Sequence, residues 1–590
     1  MSDFYTPPLD DLRFVLNQVL DYQRLFALEA YSHADSELAD AVLNEAARFT
    51  AGVLGPINAI GDQQGSRLEN GRVVTPDGFR EAYRQFVEGG WPGLDLPLAH
   101  GGQGLPLSLQ ASCAEMVNGA CVSFGMLPLM ERGATRLLIA HAPKAIVDAF
   151  VPNLVSGEWG ATICISEAQA GSDVGRINTR AELRTDGSYA LSGTKIFITY
   201  GDQDFTEQIA HMVLARIPGA PPGTRGLSLF LVPSRLLAAD GSLAAANALN
   251  ISRVEHKMGL KASPTCILNF DGATGFLIGR ENAGLKAMFT MVNTMRLEVA
   301  VQGVAVAGAA TTKALRYALE RPQGGPPDGR AQLLIEHADI RRMLYTMRAR
   351  TEGLRALVLE TAFNLDLAQA GPMEQRAEAL ALAEWLLPVC KACCSEAGFE
   401  VANLAVQIFG GHGYVADAGV EQYVRDSRVM SIYEGANGIQ ALDLVARKLA
   451  PDDGLRYRLF TTRIRADLER CSGRADLLAI WNALREGLTR LDACTQDVVA
   501  KIKGSPASMR DAEAGATAYL GLVGLVAGGW MWLRMAAAAA TDTPMHAEKR
   551  AVARFYAEYL LPESHVMAAR AVLGAACLDT LDNAALAATE

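Results

Sequence analysis

The sequence predicts a mostly α-helical protein with one β insert, in the order helices, a small β unit, helices and a helical appendix. Three observations carry this expectation. Apolar residues recur three and four apart from Ser36 to Glu158, as in AVLNEAARF and SLQASCAEMV. Short β-prone segments cluster beyond Gly160. From Glu281 the helical period returns in long runs as far as Leu449, and an Ala-rich helical stretch follows Pro451.

Taken in order, residues 1–35 read as an extension and 36–159 as a helical domain, interrupted by the turn-rich GGWPGLDLPLAHGGQGLP. Residues 160–280 form the β domain. There TRAELRT and YALSGTKIFITY read as two strands joined through Asp186-Gly187, followed by HMVLARI, GLSLFLV and CILNF. Residues 281–450 are helical, Pro451-Asp-Asp-Gly454 is a linker, and 451–590 is an additional C-terminal helical domain. This order argues against alternating βαβ units and a parallel sheet. Gly411-His-Gly413-Tyr-Val-Ala416 matches the G-x-G-x-x-A dinucleotide pattern, but VANLAVQIF before it has the character of a helix, so the match reads as a decoy.

The chain has 590 residues, half of them hydrophobic, and a formal charge of −11, which gives no general attraction to phosphate backbones or anionic membranes. Nucleic acid is not expected as a partner, although Arg456, Arg463 and Arg470 recur every seven residues as a local basic stripe. The N-terminus lacks the basic region and apolar core of a secretory signal, and a cytoplasmic location is expected. Cys390, Cys393 and Cys394 cluster without a matching pair or nearby His, so buried helix thiols are expected and no metal. Gly515 to Leu533 is uncharged and long enough to span a membrane, yet five glycines dilute it. A buried helix packed through Gly524 and Gly528 is the expectation, and membrane contact is not.

Three segments carry candidate chemistry. In Arg425-Asp-Ser-Arg-Val-Met-Ser-Ile-Tyr-Glu434-Gly435, a carboxylate lies between an aromatic residue and a glycine, just ahead of a helix. Glu434 suits a base for a carbon-bound proton, and Gly435 allows close approach of a substrate carbonyl to backbone N–H groups. Taken alone, the alternative reading is a helix-start carboxylate stabilised by the dipole. Ile163-Cys-Ile165-Ser166-Glu-Ala-Gln-Ala-Gly171-Ser172-Asp173 runs an apolar strand into a turn of small residues and hydroxyls. Such a turn offers donors to an acceptor-rich cofactor edge, or makes an ordinary polar turn. In Gly193-Thr-Lys-Ile-Phe197-Ile-Thr199, alternation puts Phe197 and Thr199 on one strand face, able to stack on and bond a flat ring; the bland reading is a core Phe and a surface Thr.

Together and in this order, these segments resemble the acyl-CoA dehydrogenase family over roughly Ser36 to Leu449. Tyr317-Ala-Leu-Glu-Arg321, Ile335-Glu-His-Ala-Asp-Ile340 and Gln407-Ile-Phe-Gly410-Gly411-His-Gly413-Tyr414 support the resemblance. It implies a helical domain, a β domain and a four-helix domain around FAD, in a homodimer or a dimer of dimers. It also implies that Glu434 takes the α proton of an acyl-CoA while the β hydrogen leaves as hydride to flavin N5. A trans-2-enoyl-CoA results, and the electrons pass to an electron-transferring flavoprotein. The thioester oxygen would be held by the Glu434 N–H and a flavin ribityl hydroxyl.

By the same resemblance, Ile163, Ile165 and Ser166 line the flavin, Ser172 reaches the cofactor or CoA, and Phe197 and Thr199 pack on the isoalloxazine. Arg321 and Gln407 to Gly411, with Gly410 and Gly411 at its end, hold FAD across a subunit interface. Arg296 sits near the thioester. One branch of the family carries its base at the position of Met295, which cannot take a proton; Glu298 is the nearby alternative acid.

The chain departs from the family pattern at Ser166-Glu167-Ala168 for Thr-Glu-Pro, at Phe197 for Trp, at Ala436 for Thr, and at Gln323-Gly324-Gly325 for Gln-Phe-Gly. The N-terminal extension and the appendix look like the long bacterial branch, which includes 3-methylmercaptopropionyl-CoA dehydrogenases as well as enzymes for ordinary fatty acyl-CoAs. The rival readings are an acyl-CoA oxidase using oxygen and, from another class, a DNA-associated flavoprotein.

Overall fold

The computed structural model describes residues 4–588, which fold as two compact units. The first comprises Glu37–Glu298 and the segment ending at Pro7; the second comprises Pro8–Ser36 and the segment beginning at Val299.

In the first unit, helices α1 (Leu107–Ala120) and α2 (Val122–His141) are buried along most of their length. The β segment follows as seven strands of one sheet: β1 (Gly160–Cys164), β2 (Arg180–Leu183), β3 (Tyr189–Thr199), β4 (Ile209–Arg216), β5 (Leu227–Pro233), β6 (Leu249–Val254) and β7 (Thr265–Ile278). Their order is β6-β7-β3-β2-β4-β1, and β5 pairs with both β4 and β7, which closes the sheet on itself. β2 and β3 are antiparallel, joined through a turn in which Gly187 takes a left-handed φ of +85°. Tyr189, Leu191, Ile198, Val213, Phe230 and Leu268 fill the core of the sheet.

The second unit is helical. Helix α3 (Gly284–Glu320) contributes its part beyond Val299, with α4 (Ala338–Ala370) and α5 (Met373–Phe409) beside it. α3 and α5 approach closely where glycines face each other: a Cβ on Gly398 would lie 3.0 Å from the Gly303 carbonyl oxygen. The run VANLAVQIF is the end of α5, so helix and not strand precedes Gly411-His-Gly413. Short helix α6 (Asn437–Leu442) follows, then α7 (Leu455–Arg470), α8 (Leu478–Ile502), α9 (Pro506–Ala538) and α10 (Pro544–Phe555).

Two features of this unit follow from tertiary partners far away in sequence. The segment Pro8–Ser36 is fastened to α4 and α10: Asp11 meets Arg355 at 2.5 Å and also Lys549, the Tyr31 hydroxyl donates to Asp366 at 3.1 Å, and Arg24 lies 4.5 Å over the Phe363 ring. Helix α9, which contains the uncharged stretch, is packed inside the unit. Gly524 backs onto Cys393 and Gly528 onto Tyr556, while Trp530 and Trp532 donate their indole N–H groups to Asp467 (2.6 Å) and the Ala349 carbonyl (2.9 Å). The basic stripe of α7 is taken up by acids. Arg456 pairs with Glu384 at 2.7 Å and Arg463 with Glu378 at 2.9 Å, both on α5, and Arg470 pairs with Asp467. Cys390 and Cys394 are buried on α5 and Cys393 is partly so.

Candidate active site

β1 ends at Cys164 and delivers Ile165, Ser166 and Glu167 beside β3. The Ile196 N–H donates to the Ser166 carbonyl at 2.9 Å, continuing the ladder beyond the strand. Below it, Lys195 Nζ donates to the Ile165 carbonyl at 2.9 Å and to Glu167 Oε1 at 2.8 Å. Glu167 also accepts from the backbone N–H groups of Asn178 (2.7 Å) and Thr179 (3.0 Å). Burial pushes its pKa up, but the Lys195 charge and these donors more than offset that and hold it at about 2. The buried pair ties the Ser166 turn to β3, leaving Ile163, Ile165 and Ser166 half-buried.

β3 carries one extra residue between Lys195, opposite Leu268, and Ile198, opposite Cys266. This bulge puts Phe197 at φ +59°, a conformation that is an outlier for a bulky side chain, and leaves its ring 63% exposed. Ile198 is buried in the core, and Thr199 is half-buried. An apolar ring held outward at a strained position, with Ser166 and Thr199 hydroxyls on the neighbouring segments, is suited to a flat ligand with a polar edge. Ser172 is exposed in the turn that follows.

Also in the first unit, Arg296 is buried on α3, with Met295 fully buried beside it. Glu298 is occupied: its carboxylate accepts from Arg132, which forks onto Asp95 with both contacts at 3.0 Å, and Arg136 reaches Asp95 at 2.5 Å. Nearby Glu131 is 1% exposed; burial raises its pKa to about 8 against the opposing effect of the Tyr83 hydroxyl, which donates to it at 3.0 Å.

In the second unit, Glu434 and Gly435 lie half-buried in the loop before α6, with consecutive left-handed φ values of +53° and +83°. Three anchors hold this loop. The Tyr433 hydroxyl donates to Gln302 on α3. Asn437 accepts from Lys391 at 3.0 Å and donates to Glu396 at 2.6 Å, both on α5. Gln440 donates to the Glu434 and Gly435 carbonyls at 3.3 and 3.1 Å. Arg321, Gln407, Gly410 and Gly411 are exposed at the ends of α3 and α5. Those ends are held together by Tyr317 and Phe409, stacked at 4.0 Å with an interplanar angle of 11°. A Cβ on Gly410 or Gly411 would meet no described residue within 4 Å. Gly324 and Gly325 both take left-handed φ in a tight loop, closed by the Pro322–Leu333 bridge and His337 Nε2 against the Gln323 carbonyl at 2.6 Å.

Lys195, Asn437 and Gln440 were not singled out from sequence as holding the candidate site. Lys195 alone left a signal there, a single charge in an otherwise uncharged strand.

Four family models match the chain. They are the acyl-CoA dehydrogenase N-terminal domain over residues 36–158, its middle domain over 162–273, its C-terminal domain over 282–450, and an acetyl-CoA dehydrogenase C-terminal-like domain over 460–582. The 3-methylmercaptopropionyl-CoA dehydrogenase of Ruegeria pomeroyi is 43% identical over 570 residues, covering 95% of this chain and 96% of that protein. The broad-specificity linear acyl-CoA dehydrogenase FadE5 of Mycobacterium tuberculosis is 32% identical, with the same coverage of 95% and 96%. Among solved structures, an acyl-CoA dehydrogenase from Bacillus anthracis complexed with FAD superposes with a TM-score of 0.75 at 21% identity, covering 92% of this chain and 89% of that one.

Proposed function

The chain belongs to the acyl-CoA dehydrogenase family of FAD-dependent oxidoreductases, and from that premise we propose that it converts an acyl-CoA thioester into a trans-2-enoyl-CoA with Glu434 as the base. The observation that carries this reading is the doubly left-handed Glu434-Gly435 loop, pinned to α3, α5 and α6 by Tyr433, Asn437 and Gln440. A carboxylate so fixed is preorganised to take a proton from the carbon next to the thioester carbonyl. The Glu434 and Gly435 N–H groups would bond the thioester oxygen as enolate charge develops there. Arg296 would sit near the thioester, and Ser172 near the cofactor or CoA.

FAD supplies the acceptor for the hydride that leaves the β carbon. Phe197, Thr199, Ile163, Ile165 and Ser166 fit its flat ring and polar edge; the exposed, strained Phe197 is the observation that supports this fit. Arg321, Gln407, Gly410 and Gly411 would hold it from a neighbouring protomer in a homodimer or dimer of dimers, where the uncrowded glycines leave room for close approach.

The substrate we favour is 3-methylmercaptopropionyl-CoA, because the relative named for it is similar over nearly the whole chain. Linear fatty acyl-CoAs are the second reading, favoured by the likeness to the linear acyl-CoA enzyme. An electron-transferring flavoprotein would reoxidise the cofactor of an enzyme working in the cytoplasm. The test is turnover of both substrate types with an artificial acceptor and, separately, with oxygen. Formation of the trans-2-enoyl-CoA with the artificial acceptor and little peroxide is expected. Equal turnover with oxygen would replace this reading with an acyl-CoA oxidase.

A further inference from the structure

Glu434 occupies a backbone conformation that an L-residue seldom adopts, and Gly435 continues it. Their two carbonyl oxygens converge on a single donor, Gln440 Nε2, at 3.3 and 3.1 Å. Gln440 is fully buried, and its Oε1 has no hydrogen-bond partner among the described residues. The two acceptors fix which end of the amide faces the loop: with the group flipped, its oxygen would oppose two carbonyls. Because the peptide unit is planar and trans, directing these carbonyls toward Gln440 directs the Gly435 and Ala436 N–H groups the opposite way. Nothing in α6 itself requires this arrangement. Its first turn is already bonded through the Ile439 and Gln440 N–H groups to the Ala436 carbonyl, at 2.7 and 3.1 Å.

We propose that Gln440 is a positioning residue for proton abstraction: by gripping both carbonyls that follow the Glu434 Cα, it sets the direction of the carboxylate and of the Gly435 N–H. The inference rests on Glu434 being the base. Gln440 is buried behind the loop and acts through the backbone it holds.

The test compares Gln440→Met and Gln440→Glu with the parent as FAD-loaded enzymes, measuring the rate of flavin reduction by acyl-CoA per bound flavin. Gln440→Met keeps a side chain of similar length and removes the donor. Its maximal reduction rate is expected to fall about 10- to 100-fold, with half-saturation by substrate little changed and a larger isotope effect from α-deuterated acyl-CoA. In Gln440→Glu, a buried carboxyl donates only while protonated, so the ratio of its rate to the parent's should rise as pH falls. Dividing by the parent rate removes the titration of Glu434 itself.

A parental rate and isotope effect in Gln440→Met would overturn the proposal. Should that variant fail to fold or to hold flavin, Gln440→Glu decides, and a ratio that stays flat with pH would overturn it. Failure of the underlying reading looks different: Glu434→Gln would then reduce flavin as fast as the parent, whatever the Gln440 variants do.

Discussion

Lys195 and Glu167 form an ion pair 2.8 Å long between side chains that are 0% and 5% exposed, and this pair ties the Ser166 turn to the strand carrying Phe197. Removing one partner leaves the other charge buried. Lys195→Met should therefore cost about 3–5 kcal/mol in stability, read by urea unfolding of the FAD-free protein, and should weaken FAD retention. Glu167 adds a pH signature. Its pKa of about 2 lies below the ordinary 4.5, so its contribution is present above about 4.5 and lost as pH falls toward 2. Glu167→Gln should flatten stability against pH in that acid window; an unchanged slope would contradict the assignment.

Glu131 has the opposite sign. Burial raises its pKa to about 8 from the ordinary 4.5, so the folded protein holds a proton that the unfolded chain releases. Its contribution is fully present below about 4.5 and is lost as pH rises to about 8. Glu131→Gln keeps the shape and the acceptor for Tyr83 without a charge to bury. Its stability relative to the parent should grow between pH 5 and pH 8.5 by at least about 1.4 kcal/mol, the equivalent of one tenfold change in proton affinity, measured by denaturant unfolding at the two pH values.

Glu298 should prove structural. Its carboxylate is committed to Arg132, which is itself held by Asp95. Glu298→Gln is expected to retain flavin reduction within a few-fold while lowering the unfolding midpoint. Arg132→Met, which strands the buried Glu298 and leaves Asp95 with Arg136 alone, should lose more, about 3–5 kcal/mol. Loss of reduction in Glu298→Gln with stability intact would move the base to that residue.

The appendix helix α9 meets α5 through Gly524, whose missing side chain makes room for Cys393. Gly524→Ala should destabilise by about 1–3 kcal/mol, and Cys393→Ala in the same chain should recover part of the loss. The coupling between the two substitutions, read from a double-mutant cycle of unfolding free energies, should reach at least about 0.5 kcal/mol.

What is legible in the sequence is what local chemistry encodes. The helical period, the Asp186-Gly187 turn and the helix character of VANLAVQIF need no distant partner, and each appears in the fold. The burial of α9 is foreshadowed by its diluting glycines, but Cys393 and Tyr556 as the residues they face are not. The bulge at Phe197 is invisible in GTKIFIT, because alternation counts residues without knowing that the partner strand β7 is one shorter there. Lys195 and Glu167 are 28 residues apart, and Asp11 meets Lys549 across 538, so neither pair follows from spacing. The stripe on α7 reads as basic because Glu378 and Glu384, which pair with it, lie on another helix. At the Glu434 loop the residue type and the following glycine are legible, whereas the grip of Gln440 depends on a left-handed backbone that no sequence pattern announces.

The most direct test of the account is anaerobic mixing of FAD-loaded Glu434→Gln with an acyl-CoA that reduces the parent. The variant should bind the acyl-CoA and keep the yellow absorbance of oxidised flavin, with the rate of bleaching reduced by at least about 100-fold. Bleaching at the parental rate would contradict the assignment of Glu434 as the base.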